Sequence, residues 1–148
     1  MRPVPRAYRL IAALMAIGFL SGCGDSGSFP DAYIEGRSAY GSICSACHGN
    51  AGQGGVGPEM SQVLETFPSC DDQIHWITLG SDRWLDEVGP TYGEPARPVE
   101  GGMAPIGDQL SPEEIAAVAM YERVRFGGLE IEEASRQCGI SLAESGQN

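Results

Sequence analysis

Cys44-Ser45-Ala46-Cys47-His48 is the stretch around which the rest of this sequence can be interpreted. Two thiols three residues apart, with an imidazole directly after the second, form the attachment signature of c-type haem. On one helical turn Cys44 and Cys47 reach the same side, where each sulfur can add to one vinyl group of a porphyrin. His48 then directs a ring nitrogen at the iron. The pattern therefore predicts one covalently bound haem c.

Two other interpretations of this stretch stay open. Cys44 and Cys47 could form a structural disulfide, with His48 incidental. Cys44, Cys47, Cys70 and His75 could instead supply a Cys3His zinc site. Haem is favoured because the motif is specific. His75 lies between apolar neighbours on a short predicted helix, so we expect a packed or surface histidine there rather than an iron ligand.

The N-terminal segment has the pattern of an export signal. Arg2, Arg6 and Arg9 precede an apolar run, residues 10–20, that is shorter than the about 20 residues a membrane-spanning helix needs. Leu20-Ser21-Gly22-Cys23 resembles the bacterial lipobox, whose cysteine is lipidated after cleavage. We therefore expect a lipoprotein signal peptide over residues 1–22 and a lipidated Cys23 with a flexible tether over residues 23–30. An ordinary signal peptide is the alternative.

The charge balance excludes some classes of partner. The formal charge of the 148-residue chain is −11, with no lysine, and it becomes −14 when the three signal arginines are removed. Such a chain would repel nucleic-acid phosphates and anionic lipid headgroups. An acidic surface would instead favour a basic partner protein.

Export from the cytoplasm would place the remaining cysteines in an oxidising compartment. Outside the cytoplasm disulfides persist, and c-type haem is attached there too. With Cys23, Cys44 and Cys47 assigned, Cys70 and Cys138 remain, and a disulfide between them is the favoured pairing. Two separate buried thiols are the alternative.

The first helix is predicted from Asp31, as N-cap, to about residue 43. Gly36 is costly inside a helix, and a close helix crossing would explain it. The alternative is a helix that starts later. Residues spaced three or four apart predict one shared face: Tyr33, Gly36, Tyr40, Ile43 and Cys47.

The middle of the chain alternates between loops and short helices. Residues 49–57 are glycine-rich and predict a loop that lies close against a flat surface. Residues 58–64 could form one helical turn, and residues 71–80 predict a compact helix ending at glycine. Residues 81–102, rich in proline and glycine, predict a long ordered loop or lid.

The C-terminal part begins with a candidate iron ligand. Met103 lies between two glycines and a proline, and its thioether is a soft ligand suited to haem iron. The alternative is a methionine that fills the core. A capped helix comes next over residues 111–126, with Glu122 pointing outwards, and residues 129–137 predict one more short helix. Residues 141–148 are expected to be loose.

Residues 31–127 resemble a class I cytochrome c. That family has an N-terminal helix with glycine and an aromatic residue four apart, which Gly36 and Tyr40 match, and its haem motif begins four residues later, as at Cys44. A proline follows the haem histidine by about a dozen residues, and its carbonyl accepts the Nδ1 proton of that histidine. Pro58 fits this role, which would fix the imidazole tautomer.

The resemblance continues to the last helix. The distal methionine of the family lies in a glycine and proline loop before that helix, as Met103 does here. Val118 and Tyr121 match the positions where the last helix crosses the first. Departures are the missing lysine ring, Ala104 where proline is common, and the Cys70 and Cys138 pair.

Together these observations predict an all-α, small cytochrome c fold, with three to five short helices wrapped around one haem in a domain over residues 31–140. The expected function is one-electron transfer with His48 and Met103 as iron ligands, without substrate chemistry. A haem enzyme subunit, or a five-coordinate haem that reacts with peroxide or gases, is the alternative. Expected partners are a redox donor and acceptor, with a respiratory membrane complex as one candidate. The expected location is the outer face of the bacterial cytoplasmic membrane or the periplasm, through the lipid anchor.

Overall fold

The computed structural model describes residues 29–142, which fold into five helical segments. A π-helical turn, Tyr40–Cys44, joins the first two helices into one continuous segment. A 3₁₀ turn at Ile106–Asp108 precedes the long C-terminal helix. The α-helices are α1 (Asp31–Ala39), α2 (Ser45–His48), α3 (Val63–Thr66), α4 (Cys70–Glu87), α5 (Pro112–Arg125) and α6 (Ile131–Gln137). The prediction of an all-α, small cytochrome c fold is confirmed.

Helices α1 and α5 cross at Gly36. A β-carbon on Gly36 would lie 2.0 Å from the backbone oxygen of Ala117 and 3.0 Å from Cβ of Tyr121, so only glycine allows this approach. The predicted close crossing is confirmed. The predicted cap is wrong, because Asp31 is the first helical residue and Pro30 occupies the N-cap position without a side-chain hydrogen bond.

Helix α5 forms the centre of the core. It begins with the predicted capping box, in which Ser111 and Glu114 exchange hydrogen bonds. Most of its length is buried on all sides, since α1, α4 and α6 all pack against it. Its fully buried side chains include Ile115, Val118 and Met120.

Glu122 is one of the buried side chains, and the prediction that it points outwards is wrong. Its carboxyl oxygen Oε2 accepts a hydrogen bond from Gln73 Nε2 at 2.8 Å, and Gln73 Oε1 accepts one from Arg123 at 3.0 Å. Arg123 also donates to the backbone oxygens of Phe67 and Pro68. These polar partners satisfy two ionisable side chains that are buried on adjacent faces of α5.

Helix α4 is longer than predicted. Gly80 adopts φ 64° and ψ −177°, which breaks the helix, but the chain resumes helical geometry and continues to Glu87. The prediction of a loop from residue 81 is therefore wrong for residues 81–87. The glycine marks an internal break rather than an end, and the burial of Trp84 after the break gives the second half an apolar contact.

A small hairpin follows α4. Strand β1 (Thr91–Tyr92) pairs antiparallel with β2 (Arg97–Pro98). Its Tyr92 ring stacks on Trp76 with 4.1 Å between the ring centroids, and Trp84 Nε1 donates to the backbone oxygen of Thr91. The hairpin therefore covers an aromatic cluster on α4.

A disulfide joins Cys70, the first residue of α4, to Cys138, directly after α6. It closes a sequence separation of 68 residues. The chain-entropy model assigns about 4 kcal/mol to a loop of this length. The bond ties the C-terminal helix to the core.

Replacing both cysteines with serine (C70S/C138S) is therefore expected to lower the free energy of unfolding by about 4 kcal/mol. Thermal unfolding of the mature protein at neutral pH measures this, and a decrease of at least about 10 °C in the melting temperature is expected. Reducing the wild-type protein under mild conditions serves as the matched control and should give the same decrease. An unchanged melting temperature in both experiments contradicts the prediction.

The predicted signal peptide, Cys23, most of the tether and residues 143–148 lie outside the described residues. Within residues 29–142, no helix is both long enough and apolar enough to cross a bilayer.

Candidate haem site

The π-helical turn Tyr40–Cys44 ends at the first thiol of the motif, and α2 carries the second thiol, Cys47. Each residue advances about 100° around an α-helix, so the wider turn rotates α2 relative to α1. Cys44 is half-buried and packs against the core, whereas Cys47 is exposed.

The structure leaves both thiols free, so the disulfide interpretation of Cys44 and Cys47 has no support in it. Burial raises the pKa of the Cys44 thiol to about 12, and the nearby Glu122 and Cys47 act in the same direction. Cys44 is therefore a neutral thiol at physiological pH, held at the edge of the core.

The ring of His48 is oriented by Pro58. Its Nδ1 atom lies 2.9 Å from the backbone oxygen of Pro58. A carbonyl oxygen can only accept, so Nδ1 carries the proton and, in the neutral ring, Nε2 has a free lone pair. The histidine is thereby held in the tautomer that can bind a metal through Nε2.

The glycine-rich loop packs closely on this histidine. A β-carbon on Gly57 would lie 2.8 Å from Cε1 of His48, so the backbone runs directly against the flat ring. The Gly57 amide also donates to the Cys47 carbonyl at 3.0 Å, and the Gly54 amide donates to the His48 carbonyl at 2.9 Å. The predicted close approach of residues 49–57 to a flat surface is confirmed, and the surface includes the imidazole.

Tyr40 connects the motif to the core. Its hydroxyl donates to the backbone oxygen of Gly49 at 2.8 Å, which holds the turn directly after His48. Its ring packs against Tyr121 and Phe126. Burial raises the pKa of Tyr40 well above its usual value, so the hydroxyl stays protonated and able to donate.

Met103 lies in the segment before the 3₁₀ turn, half-buried against the core. Its backbone is hydrogen-bonded to Ser81 in α4. Sequence reasoning missed Ser81, because a serine inside a proline- and glycine-rich stretch carries no signal that connects it to a residue 22 positions away.

The zinc interpretation fails on residue placement. Cys70 is in the disulfide with Cys138 and cannot act as a thiolate ligand. His75 is exposed and packs against Trp84, with 5.1 Å between the ring centroids. Among the described residues, no three His, Cys, Asp or Glu side chains are arranged to hold a metal ion together.

A shallow cavity of about 310 Å³ lies between α4 and the hairpin. His75, Trp84 and Tyr92 line it, and none of the haem-motif residues does. It is therefore separate from the candidate haem site.

The family described as cytochrome C oxidase, cbb3-type, subunit III matches residues 31–121, from the start of α1 into α5. The chain belongs to this family of c-type cytochromes. Comparisons with curated proteins and with solved structures gave no match.

Membership in this cytochrome family implies a covalently bound haem c and haem-based electron transfer. The residues present fit that group. Two free thiols lie three residues apart on a helix, and the histidine that follows has its Nε2 lone pair free. The loop beside the imidazole has glycine where a side chain would collide with the ring.

Proposed function

We propose that this cytochrome is a membrane-tethered monohaem electron carrier, with Cys44 and Cys47 as attachment residues and with His48 and Met103 as iron ligands. The bound group would supply one-electron chemistry at its iron. The observation that carries the proposal is the His48 ring, fixed by Pro58 directly after two free thiols. His48 and Met103 would fill both axial positions, which leaves none for a substrate.

Each proposed residue has a separate task. Cys44 and Cys47 would hold the group from one helical turn, and Pro58 would orient the His48 ring. Methionine ligation opposite histidine raises the reduction potential relative to other common ligand sets.

Electron exchange would take place at the glycine-rich loop, residues 49–57, where the candidate haem site is accessible to a partner protein. Val56 is 91% exposed, and it lies between the glycines that pack on Cys47 and His48. An apolar side chain exposed beside the site suits contact with a redox partner. The strongly acidic chain would favour a basic surface on that partner.

The proposed partner is a respiratory oxidase, with this chain acting as a carrier or as a subunit. The family name supports that proposal, because it describes an oxidase subunit. The proposed location is the outer face of the cytoplasmic membrane, through a lipid on Cys23.

Expression with a working haem-attachment system tests the central proposal. Mass spectrometry of the purified mature protein should show the added mass of one haem. The optical spectrum should be that of a reduced six-coordinate c-type cytochrome, with a weak near-infrared sulfur-to-iron band in the oxidised form. A colourless polypeptide without the added mass would refute the proposal, and a high-spin spectrum would refute the methionine ligation.

Replacing Cys23 with serine is expected to release the protein from membranes, because the lipid would be its only anchor in the proposed arrangement. Fractionation of cells followed by detection of the haem protein measures this. Wild-type protein should sediment with membranes, and the C23S protein should remain in the supernatant. Retention of C23S with the membranes contradicts the lipid-anchor proposal and indicates a protein partner or an uncleaved signal.

A further inference from the structure

The segment that carries Met103 docks on the break in α4. At Gly80 the backbone turns to φ 64°, and a β-carbon there would lie 2.5 Å from the Met103 carbonyl oxygen and 2.6 Å from the Ala104 carbonyl. Glycine is therefore required both for the conformation and for the space. The break in the helix is the place where the Met103 segment lies against it.

Ser81, the next residue, forms hydrogen bonds with the backbone of this segment. Its hydroxyl oxygen accepts from the amides of Gly102 at 3.0 Å and Met103 at 3.1 Å. The hydroxyl donates to the Met103 carbonyl at 3.3 Å, and the Ser81 amide donates to the same carbonyl at 3.0 Å. A hydroxyl has one donor and two acceptor positions, and here all of them are used.

The burial of Ser81 makes the loss of any of these hydrogen bonds costly. Its exposed fraction is 0%, so water cannot replace a lost partner without opening the structure. Removing the hydroxyl would leave the amides of Gly102 and Met103 without their acceptor. Met103 is half-buried, and an amide in such a position without a partner costs more than the bond itself contributes.

A second contact further along the segment is weaker. Arg83 forms a bidentate pair with Asp108 at 3.0 Å and 2.7 Å, but both side chains are about half exposed to solvent. Exposed pairs of this kind contribute little to stability. The backbone of Met103 is therefore fixed mainly by Ser81 and Gly80.

We infer that Ser81 is the positioning residue for the sulfur ligand: it fixes both peptide groups of Met103 so that the thioether is held in the geometry needed to bind iron. This inference rests on the proposed function, in which Met103 is a ligand. Ser81 does not touch the iron, and it acts through the backbone of the ligand residue. It would resist detachment of the methionine at high pH or in competition with external ligands.

Replacing Ser81 with alanine in the mature haem protein tests this inference. We expect the equilibrium between detached and bound methionine to shift about tenfold towards the detached form, as the loss of one buried hydrogen-bonding group predicts. The near-infrared sulfur-to-iron band of the oxidised protein should then disappear about one pH unit lower than in the wild type. Carbon monoxide should also bind more tightly to the reduced S81A protein.

Ser135 supplies a matched control. It is also buried, and its hydroxyl donates to the Glu132 carbonyl within α6, away from the Met103 segment. S135A should leave the near-infrared band and its pH dependence unchanged. If S81A binds haem and keeps the band over the wild-type pH range, the inference is overturned. A similar shift in S135A would also overturn it, because general destabilisation would then explain both.

Amide hydrogen exchange on the wild-type protein keeps the inference testable if S81A does not fold. The Gly102 and Met103 amides should exchange slowly, although Gly102 is exposed, because Ser81 accepts from both. Rapid exchange of both amides overturns the inference. Failure of the proposed function gives a different result. If Met103 is not an iron ligand, the near-infrared spectra of M103A and the wild type are the same, whatever the exchange rates of the Gly102 and Met103 amides.

Discussion

Replacing Met103 with alanine is expected to lower the reduction potential of the haem protein on the order of 100 mV, since axial ligands set haem potentials over a range of about 0.8 V. The same variant should bind carbon monoxide in its reduced form, which a six-coordinate protein resists. Loss of the thioether removes a soft ligand that stabilises the ferrous state and opens one axial position. A redox titration and a carbon monoxide difference spectrum measure the two effects.

Met60 provides the control for this experiment. It is half-buried like Met103, but it follows Pro58 so closely that both would lie on the histidine side of the proposed site. M60A should keep the wild-type potential and should not bind carbon monoxide. If M60A shows these changes and M103A does not, the ligand assignment is wrong. If neither variant changes, methionine ligation itself is contradicted.

The M103A experiment also separates the two functional hypotheses for this cytochrome. A carrier with two protein ligands gains reactivity only when one is removed. If the wild-type protein already binds carbon monoxide readily, the iron has an open position and the peroxide- or gas-reactive alternative is favoured.

Replacing Glu122 with glutamine is expected to remove a pH dependence of stability that the wild-type protein shows between about pH 5 and 8. Complete burial raises the pKa of Glu122 to about 8, and the hydrogen bond from Gln73 only partly opposes this effect. In the unfolded chain the carboxyl has its ordinary pKa, near 4.5. Between these values the folded protein keeps a proton that the unfolded chain releases.

The sign of the effect is set by this difference in bound protons. Stability is greatest below the unfolded pKa and is lost as the pH rises towards about 8, because ionisation then favours the unfolded chain. One proton gives a slope of up to about 1.4 kcal/mol per pH unit. Denaturant unfolding at a series of pH values measures the slope, and E122Q should lack it because its amide does not ionise.

Glu113 gives the matched control, since it lies on the same helix but is exposed. E113Q should retain the wild-type slope between about pH 5 and 8. Equal slopes in wild type and E122Q would show that the Glu122 carboxyl does not hold its proton in the folded protein.

Much of the fold could be predicted from local signals. The capping box at Ser111 and Glu114 marked the start of α5, and the unfavourable glycine at position 36 indicated a helix crossing. These features act through nearby backbone groups, so their physical reasons are visible in a short stretch of sequence.

The errors came from positions where tertiary contacts override local pattern. Gly80 has the local features of a helix end, but the Met103 segment lies against the break and the burial of Trp84 holds the helix that continues after it. Glu122 follows a buried tyrosine and would normally face solvent, but Gln73 on another helix gives it a partner. Contacts between residues this far apart in sequence leave no local pattern.

The sequence predicted which residues form the candidate site, but not the backbone features and distant contacts that hold those residues in place. The motif predicted Cys44, Cys47 and His48, the thioether in a glycine- and proline-containing segment predicted Met103, and the resemblance suggested Pro58. The π-helical turn and Ser81 were not predicted, since neither a wider helical turn nor a distant serine contact has a sequence signature.

The confinement of the His48 ring bears on how fast such a centre could exchange electrons. The ring is hydrogen-bonded at one edge by Pro58, and the backbone of Gly57 runs against it, so it has little freedom to rotate. A ligand that keeps one orientation in both oxidation states requires little nuclear rearrangement when the charge on the metal changes. A low reorganisation energy is therefore expected from the backbone around the imidazole.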